Sequence, residues 1–125
     1  MTKRELINIC LEWPDAIEAY PFDLITDAPE AWAAVQHKAN KKAFAFVSVR
    51  KGKLMINLKC NPVEADLLRQ MFKDCIPGFH MNKEHWNTVC PDGDVPLEML
   101  KMMIDKSYEL TKPKLKKPNK AGGTE

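Results

Sequence analysis

Apolar positions along the chain repeat first with the period of a helix, then with that of a strand, and the changes of period mark out the elements. Thr2-Lys3-Arg4-Glu5 has the spacing of a capping box, and Leu6, Ile9 and Cys10 follow as one stripe, which predicts a helix running to about Leu11. Pro14 prevents its continuation. Ala16 to Phe22 reads as a short strand ended by Tyr20-Pro21-Phe22-Asp23, Asp27 to Glu30 as a loop, and Ala33 to Lys38 as a second strand. A hairpin is the clearest element. With Lys51-Gly52 as its two-residue turn, Val49 faces Leu54, Val47 faces Ile56, Ala45 faces Leu58 and Ala43 faces Cys60, so one face is wholly apolar. The other face then pairs Arg50 with Lys53, Ser48 with Met55, Phe46 with Asn57 and Phe44 with Lys59, which sets two aromatics among cations and an amide.

Asn61-Pro62-Val63-Glu64 supplies a cap, a proline at the first helical position and an acid in the capping-box place. Leu67, Leu68, Met71, Phe72 and Cys75 continue a helix from there until Pro77-Gly78 stops it. A strand through Val89, a turn at Pro91-Asp92-Gly93-Asp94 and a third helix from about Pro96, carrying Leu97, Leu100, Met103, Ile104, Tyr108 and Thr111, complete the pattern. Met99, Met102 and Met103 are read as packing of that helix. The order implies a two-layer α+β domain over residues 1–111, with a single antiparallel sheet covered by helices on one face. Residues 112–125 hold five lysines with Pro and Gly and are expected to be a disordered basic tail.

Charge modifies this picture. The net charge of +2 conceals a segregation: residues 1–30 carry two basic and seven acidic groups, residues 31–63 seven basic and none acidic, and residues 64–111 five basic and nine acidic. The middle block, Lys38, Lys41, Lys42, Arg50, Lys51, Lys53 and Lys59, is expected to gather into one phosphate-compatible ridge beside Trp86. Phe44, Phe46 and Asn57 on the hairpin, with His80, Asn82, Lys83, His85 and Trp86, add the flat side chains and amides that nucleic-acid binding needs.

Other chemistries fit less well. Cys10, Cys60, Cys75 and Cys90 stand far apart without a C-x-x-C pair and are expected to be reduced and buried. His80 and His85 lie five apart, outside the spacing of helical or strand metal pairs, so neither a metal nor a cofactor is expected. A small-ligand or enzymatic site would need a pocket lined by His80, His85 and Cys60. No apolar run approaches the ~20 residues that span a bilayer, and the first residues lack the apolar stretch of a signal peptide, so a cytoplasmic protein without membrane association is expected.

Several strings occur in a suggestive order: Tyr20-Pro21-Phe22-Asp23, Lys42-Ala43-Phe44-Ala45, Leu58-Lys59-Cys60-Asn61-Pro62, Leu67-Leu68-Arg69, Pro77-Gly78-Phe79-His80-Met81-Asn82-Lys83-Glu84-His85-Trp86 and Ser107-Tyr108. Together they resemble the MmcQ/YjbR family of small bacterial proteins over about residues 1–111, the string from Pro77 to Trp86 being the most specific. The resemblance implies a compact α+β domain similar in shape to type III secretion chaperones and frataxin, with a double-wing DNA-binding motif and no enzymatic activity. The wings would be the Lys51-Gly52 hairpin and a neighbouring sheet edge, with Lys59, His80, Asn82, Lys83, His85 and Trp86 beside them. The expectation is therefore a monomeric, non-enzymatic protein that binds DNA weakly through phosphates. The alternative is a protein-interaction module docking a partner through the sheet face or Tyr20-Pro21-Phe22.

Overall fold

The computed structural model describes residues 1–114; the tail read as disordered lies mostly outside them. Helix α1 (Lys3–Cys10) starts at the capping box: Thr2 Oγ1 accepts from the Glu5 amide at 3.1 Å and Glu5 Oε1 accepts from the Thr2 amide at 2.7 Å. Strands β1 (Ala16–Ala19), β2 (Ala33–His37), β3 (Ala43–Arg50) and β4 (Lys53–Lys59) follow, then α2 (Pro62–Met71), β5 (Cys75–Pro77), β6 (Trp86–Val89) and α3 (Leu97–Thr111). The six strands form one antiparallel sheet in the order β1-β2-β3-β4-β6-β5. No helix among the described residues is long and apolar enough to cross a membrane.

The helices lie on one face of the sheet. Val35, Ala45, Val47, Ile56, Leu58 and Val89 meet Leu6, Ile7 and Cys10 of α1 and Leu100, Met103 and Ile104 of α3 in one buried core. The hairpin register is the one its alternation dictates, from Ala45 opposite Leu58 to Arg50 opposite Lys53. Lys51 and Gly52 both have positive φ, 51° and 73°, as the tight hairpin turn requires.

Four expectations are corrected. Beyond Ala45 the hairpin pairing stops. Val35 faces Ala45 but Gln36 faces Ala43, so Phe44 is an extra residue on β3 and the bulge turns it to the helix side. Phe44 is fully buried there, packed on His37 and Tyr108, rather than standing on the outer face. The step that would have paired it with Lys59 is bridged instead by Ser107, whose Oγ donates to the Phe44 carbonyl at 2.6 Å and accepts from the Lys59 amide at 2.9 Å.

Second, α2 ends at Met71 and Cys75 belongs to β5. The Asp94 carboxylate accepts from the Lys73 and Asp74 amides at 2.9 and 3.0 Å, and this takes the backbone out of the helix. Third, Met102 is 55% exposed; with Met99 and the partner side chains Leu67 and Met71 it lines a shallow groove between α2 and α3 instead of packing wholly inside. Strand β1 is also shorter than expected, ending at Ala19 before the chain turns at Pro21.

Candidate nucleic-acid interface

The face of the sheet without helices carries the groups that matter. Alternation places Phe46 and Ser48 of β3, Asn57 and Lys59 of β4, and Trp86 and Thr88 of β6 on it, with Ala34 of β2 opposite Phe46. The chain then covers part of this face with two connections. Before β2, Asp23 accepts from the Trp32 amide at 2.9 Å and Ser48 Oγ donates to the Glu30 carbonyl at 2.9 Å, which lays residues 22–32 along the sheet. Between β5 and β6, the Phe79 amide donates to Thr88 Oγ1 at 2.8 Å and its carbonyl accepts from Asn57 Nδ2 at 3.0 Å.

The result is a slot of about 260 Å³ lined by Phe22, Trp32, Phe46, Asn57, Phe79 and His80 with Met81. One wall holds Phe22 stacked on Phe46 at 5.9 Å; beyond the slot, Phe46 meets Trp86 at 5.8 Å. The opposite wall runs from Trp32 to Phe79 at 6.4 Å and on to His80 at 4.1 Å. The Arg50 guanidinium lies over the Trp32 ring at 5.0 Å, a cation–π contact that ties the hairpin tip to this wall.

The string from Pro77 to Trp86, so distinctive in the sequence, works chiefly to build this covering. A Cβ on Gly78 would come within 2.8 Å of Trp86 Cβ and 2.9 Å of its carbonyl, so only glycine lets the two arms approach. Asn82 Oδ1 accepts from the Glu84 amide at 2.9 Å, and Lys83 Nζ donates to the Gly78 carbonyl at 2.8 Å. Arg69 of α2 staples the segment, donating to Asn87 Oδ1 at 2.6 Å and to the Lys83 and Trp86 carbonyls. The His85 carbonyl accepts from the Cys60 amide at 2.8 Å. His80 sits at φ 60° against Phe79.

The cations of the middle block do not form one ridge. Lys38, Lys41 and Lys42 lie in the β2–β3 connection, whereas Arg50, Lys51 and Lys53 lie at the β3–β4 turn, at opposite ends of β3. Seven residue steps at roughly 3.3 Å each separate the two groups by about 23 Å. Lys59 stands at the first end beside Trp86, its register partner. Neighbouring cations in the sequence thus become two clusters because an eight-residue strand lies between them. Neither cluster is neutralised: among the described residues, none of the seven has a carboxylate oxygen within 4.0 Å.

The sequence reasoning missed Trp32 and Phe79 as parts of the site. Trp32 stands two positions before Ala34, on the strand side that also carries Phe46, and that alternation was the available signal. The pocket that an enzymatic reading needs is not assembled. His80 borders the slot on the outer face, while Cys60 borders a separate small cavity with Leu58, Leu68 and Asn87. Burial pushes the Cys60 thiol upward and that of Cys75 up to about 12, away from thiolate nucleophilicity. Among the described residues no group of three or more His, Cys, Asp or Glu side chains is placed to hold a metal ion.

Comparison with known proteins completes the description. The YjbR family model matches residues 11–110. The uncharacterized protein YjbR of Escherichia coli (strain K12) is 35% identical over 109 residues, covering 87% of this chain and 86% of that protein. The Bacillus subtilis (strain 168) uncharacterized protein YyaQ is 33% identical over 91 residues, covering 65% of this chain and 76% of that protein. A crystal structure of a Pseudomonas syringae protein superposes with a TM-score of 0.76 at 25% identity, covering 90% of this chain and all of that one. The Deinococcus radiodurans protein DR2400, with its DUF419 domain, superposes with a TM-score of 0.71 at 33% identity, covering 87% and 77%.

Proposed function

The chain belongs to the YjbR family, and from that premise we propose that it is a cytoplasmic, non-enzymatic DNA-binding protein whose two hairpin tips act as wings on the phosphate backbone. The observation that carries the reading is the pair of uncompensated cation clusters at the two ends of β3, with the aromatic slot between them. Clusters about 23 Å apart span roughly seven base pairs of duplex at ~3.4 Å per pair. Lys41 and Lys42 serve one wing, with Lys59 beside Trp86 at the same end of β3, and Arg50, Lys51 and Lys53 serve the other. His80, Asn82, Lys83 and His85 belong to the covering segment; it holds the face in shape and adds the Lys83 charge.

Such contacts position without reading sequence, so the binding is weak and tolerant of sequence. Titration of a labelled duplex at low ionic strength tests it. Saturable binding is expected, weakened several-fold when Lys51 and Lys53 are both replaced by Glu. Absence of saturable binding would dismiss the reading.

One observation favours a protein-interaction reading instead. Phe22, Leu24 and Ile25 are 68%, 102% and 69% exposed in the β1–β2 connection, a run of large apolar side chains in water. Under that reading a pulldown captures one defined protein regardless of nuclease treatment, and Leu24→Ser with Ile25→Ser abolishes the capture.

A further inference from the structure

The floor of the aromatic slot holds an amide whose hydrogen-bonding capacity is only half used. Asn57 is 1% exposed. Its Nδ2 donates to the Phe79 carbonyl at 3.0 Å and its Oδ1 accepts from Thr88 Oγ1 at 2.5 Å. A side-chain amide has two N–H donors and two acceptor lone pairs, so one of each is without a partner among the described residues. Buried polar groups are ordinarily satisfied, and each exception asks for a partner. Thr88 has no donor to spare, because its one O–H goes to Asn57 while its Oγ1 also accepts from the Phe79 amide.

The walls define what that partner looks like. The ring contacts run within each wall, Phe22 to Phe46 on one side and Trp32 to Phe79 to His80 on the other, and among the described residues none crosses between them. A volume of about 260 Å³ falls just below the ~300–1,000 Å³ of sites for drug-sized molecules and suits one planar ring system. Phe22 and Phe79, 68% and 37% exposed, leave the slot open to solvent. An asparagine amide with one donor and one acceptor matches the edge of a nucleobase, adenine above all.

We propose that the slot binds one unstacked nucleobase, held between the two aromatic walls with its edge on Asn57. The inference deepens the DNA-binding reading by giving it a preference for single-stranded or extrahelical bases, since a paired and stacked base has neither face nor edge to offer.

Adenosine, which lacks phosphate, separates the slot from the wings. With the full chain, the Trp32 indole N–H resonance is followed during titration with adenosine and with purine riboside, which keeps the ring and lacks the amine. A saturable shift is expected, with weaker binding of purine riboside and about tenfold weaker adenosine binding in Phe22→Ala, an exposed position where folding is not at stake. Lys51→Glu with Lys53→Glu is expected to leave adenosine binding alone. No saturable shift with adenosine, or equal binding of the two nucleosides, would overturn the slot proposal. A duplex that still binds and still loses affinity in the Lys51→Glu, Lys53→Glu variant would then leave the wing reading standing by itself.

Discussion

Replacing Arg69 with Met isolates the staple that holds the covering segment. Arg69 projects from the last turn of α2, and Met has nearly the same helix propensity, so the helix itself is not weakened. The substitution removes the bond to Asn87 Oδ1 and those to the Lys83 and Trp86 carbonyls. Asn87 is fully buried, and its Nδ2 is already committed to the Ala65 carbonyl at 3.2 Å, so its oxygen is left without a partner. A buried unsatisfied acceptor costs ~1–3 kcal/mol, and loss of charge-assisted bonds from a half-exposed guanidinium adds about 1 kcal/mol. The expected total is about 2–4 kcal/mol out of the ~5–15 kcal/mol that a domain of this size has. Urea unfolding measures it, and thermal unfolding should drop by roughly 8–16 °C. A second substitution, Asn87→Leu, removes the orphaned acceptor, so the double variant should lose at least about 1 kcal/mol less than the two singles summed. A single variant within about 0.5 kcal/mol of the parent, or strict additivity, would refute the staple.

Three further outcomes follow from the buried contacts. Phe44→Ala empties a fully buried ring site against His37 and Tyr108 and should cost about 3–5 kcal/mol in urea unfolding; a loss below about 1 kcal/mol would return Phe44 to the outer face. His37 is buried, its Nε2 2.9 Å from Thr111 Oγ1, and burial lowers its pKa below the usual 6.5. Thr111 donates to the Ser107 carbonyl at 2.7 Å, so it accepts from a neutral His37, and Glu109 and Lys112 are the charges nearby. The unfolded chain therefore binds the extra proton first. This contribution to stability is whole above about pH 6.5 and falls as pH drops from there through the lower folded value. His37→Gln should flatten that limb of the urea midpoint, and an identical pH profile in parent and variant would contradict the assignment. All four thiols are free and buried, with Cys10 and Cys75 pushed up to about 12 by burial. A thiol reagent at pH 8 should react slowly with the native protein and at once with four groups in denaturant; a fast native equivalent would disprove it.

The hairpin was legible because burial of one face leaves a single register consistent with Val47, Ile56 and Leu58 inside. The capping box of α1 and the Asn61-Pro62 start of α2 marked helix starts for a similarly local reason, although Glu64 does not close a box there and pairs with Lys106 instead. What stayed hidden depends on distant partners. The bulge at Phe44 does not break the alternation in the sequence; it follows from Ser107, sixty-three positions away, taking over the backbone groups of β3 and β4. Strand β5 is three residues long; Asp94 takes the amides of Lys73 and Asp74 just before it and β6 pairs with it, so Cys75 kept a helical spacing by coincidence. Among the described residues the cations of the middle block have no carboxylate partner within 4.0 Å. Their division into two clusters needed the length of β3, and the role of Lys83 needed the Gly78 carbonyl.

The most direct test of the wing account is the salt dependence of duplex binding, measured by fluorescence anisotropy for the parent and for Lys51→Glu with Lys53→Glu. If the wings touch phosphates, log K falls linearly with log salt at about −0.9 per phosphate neutralised, and the double variant has both lower affinity and a slope shallower by roughly two. Equal slopes and equal affinities in the two proteins would contradict the account.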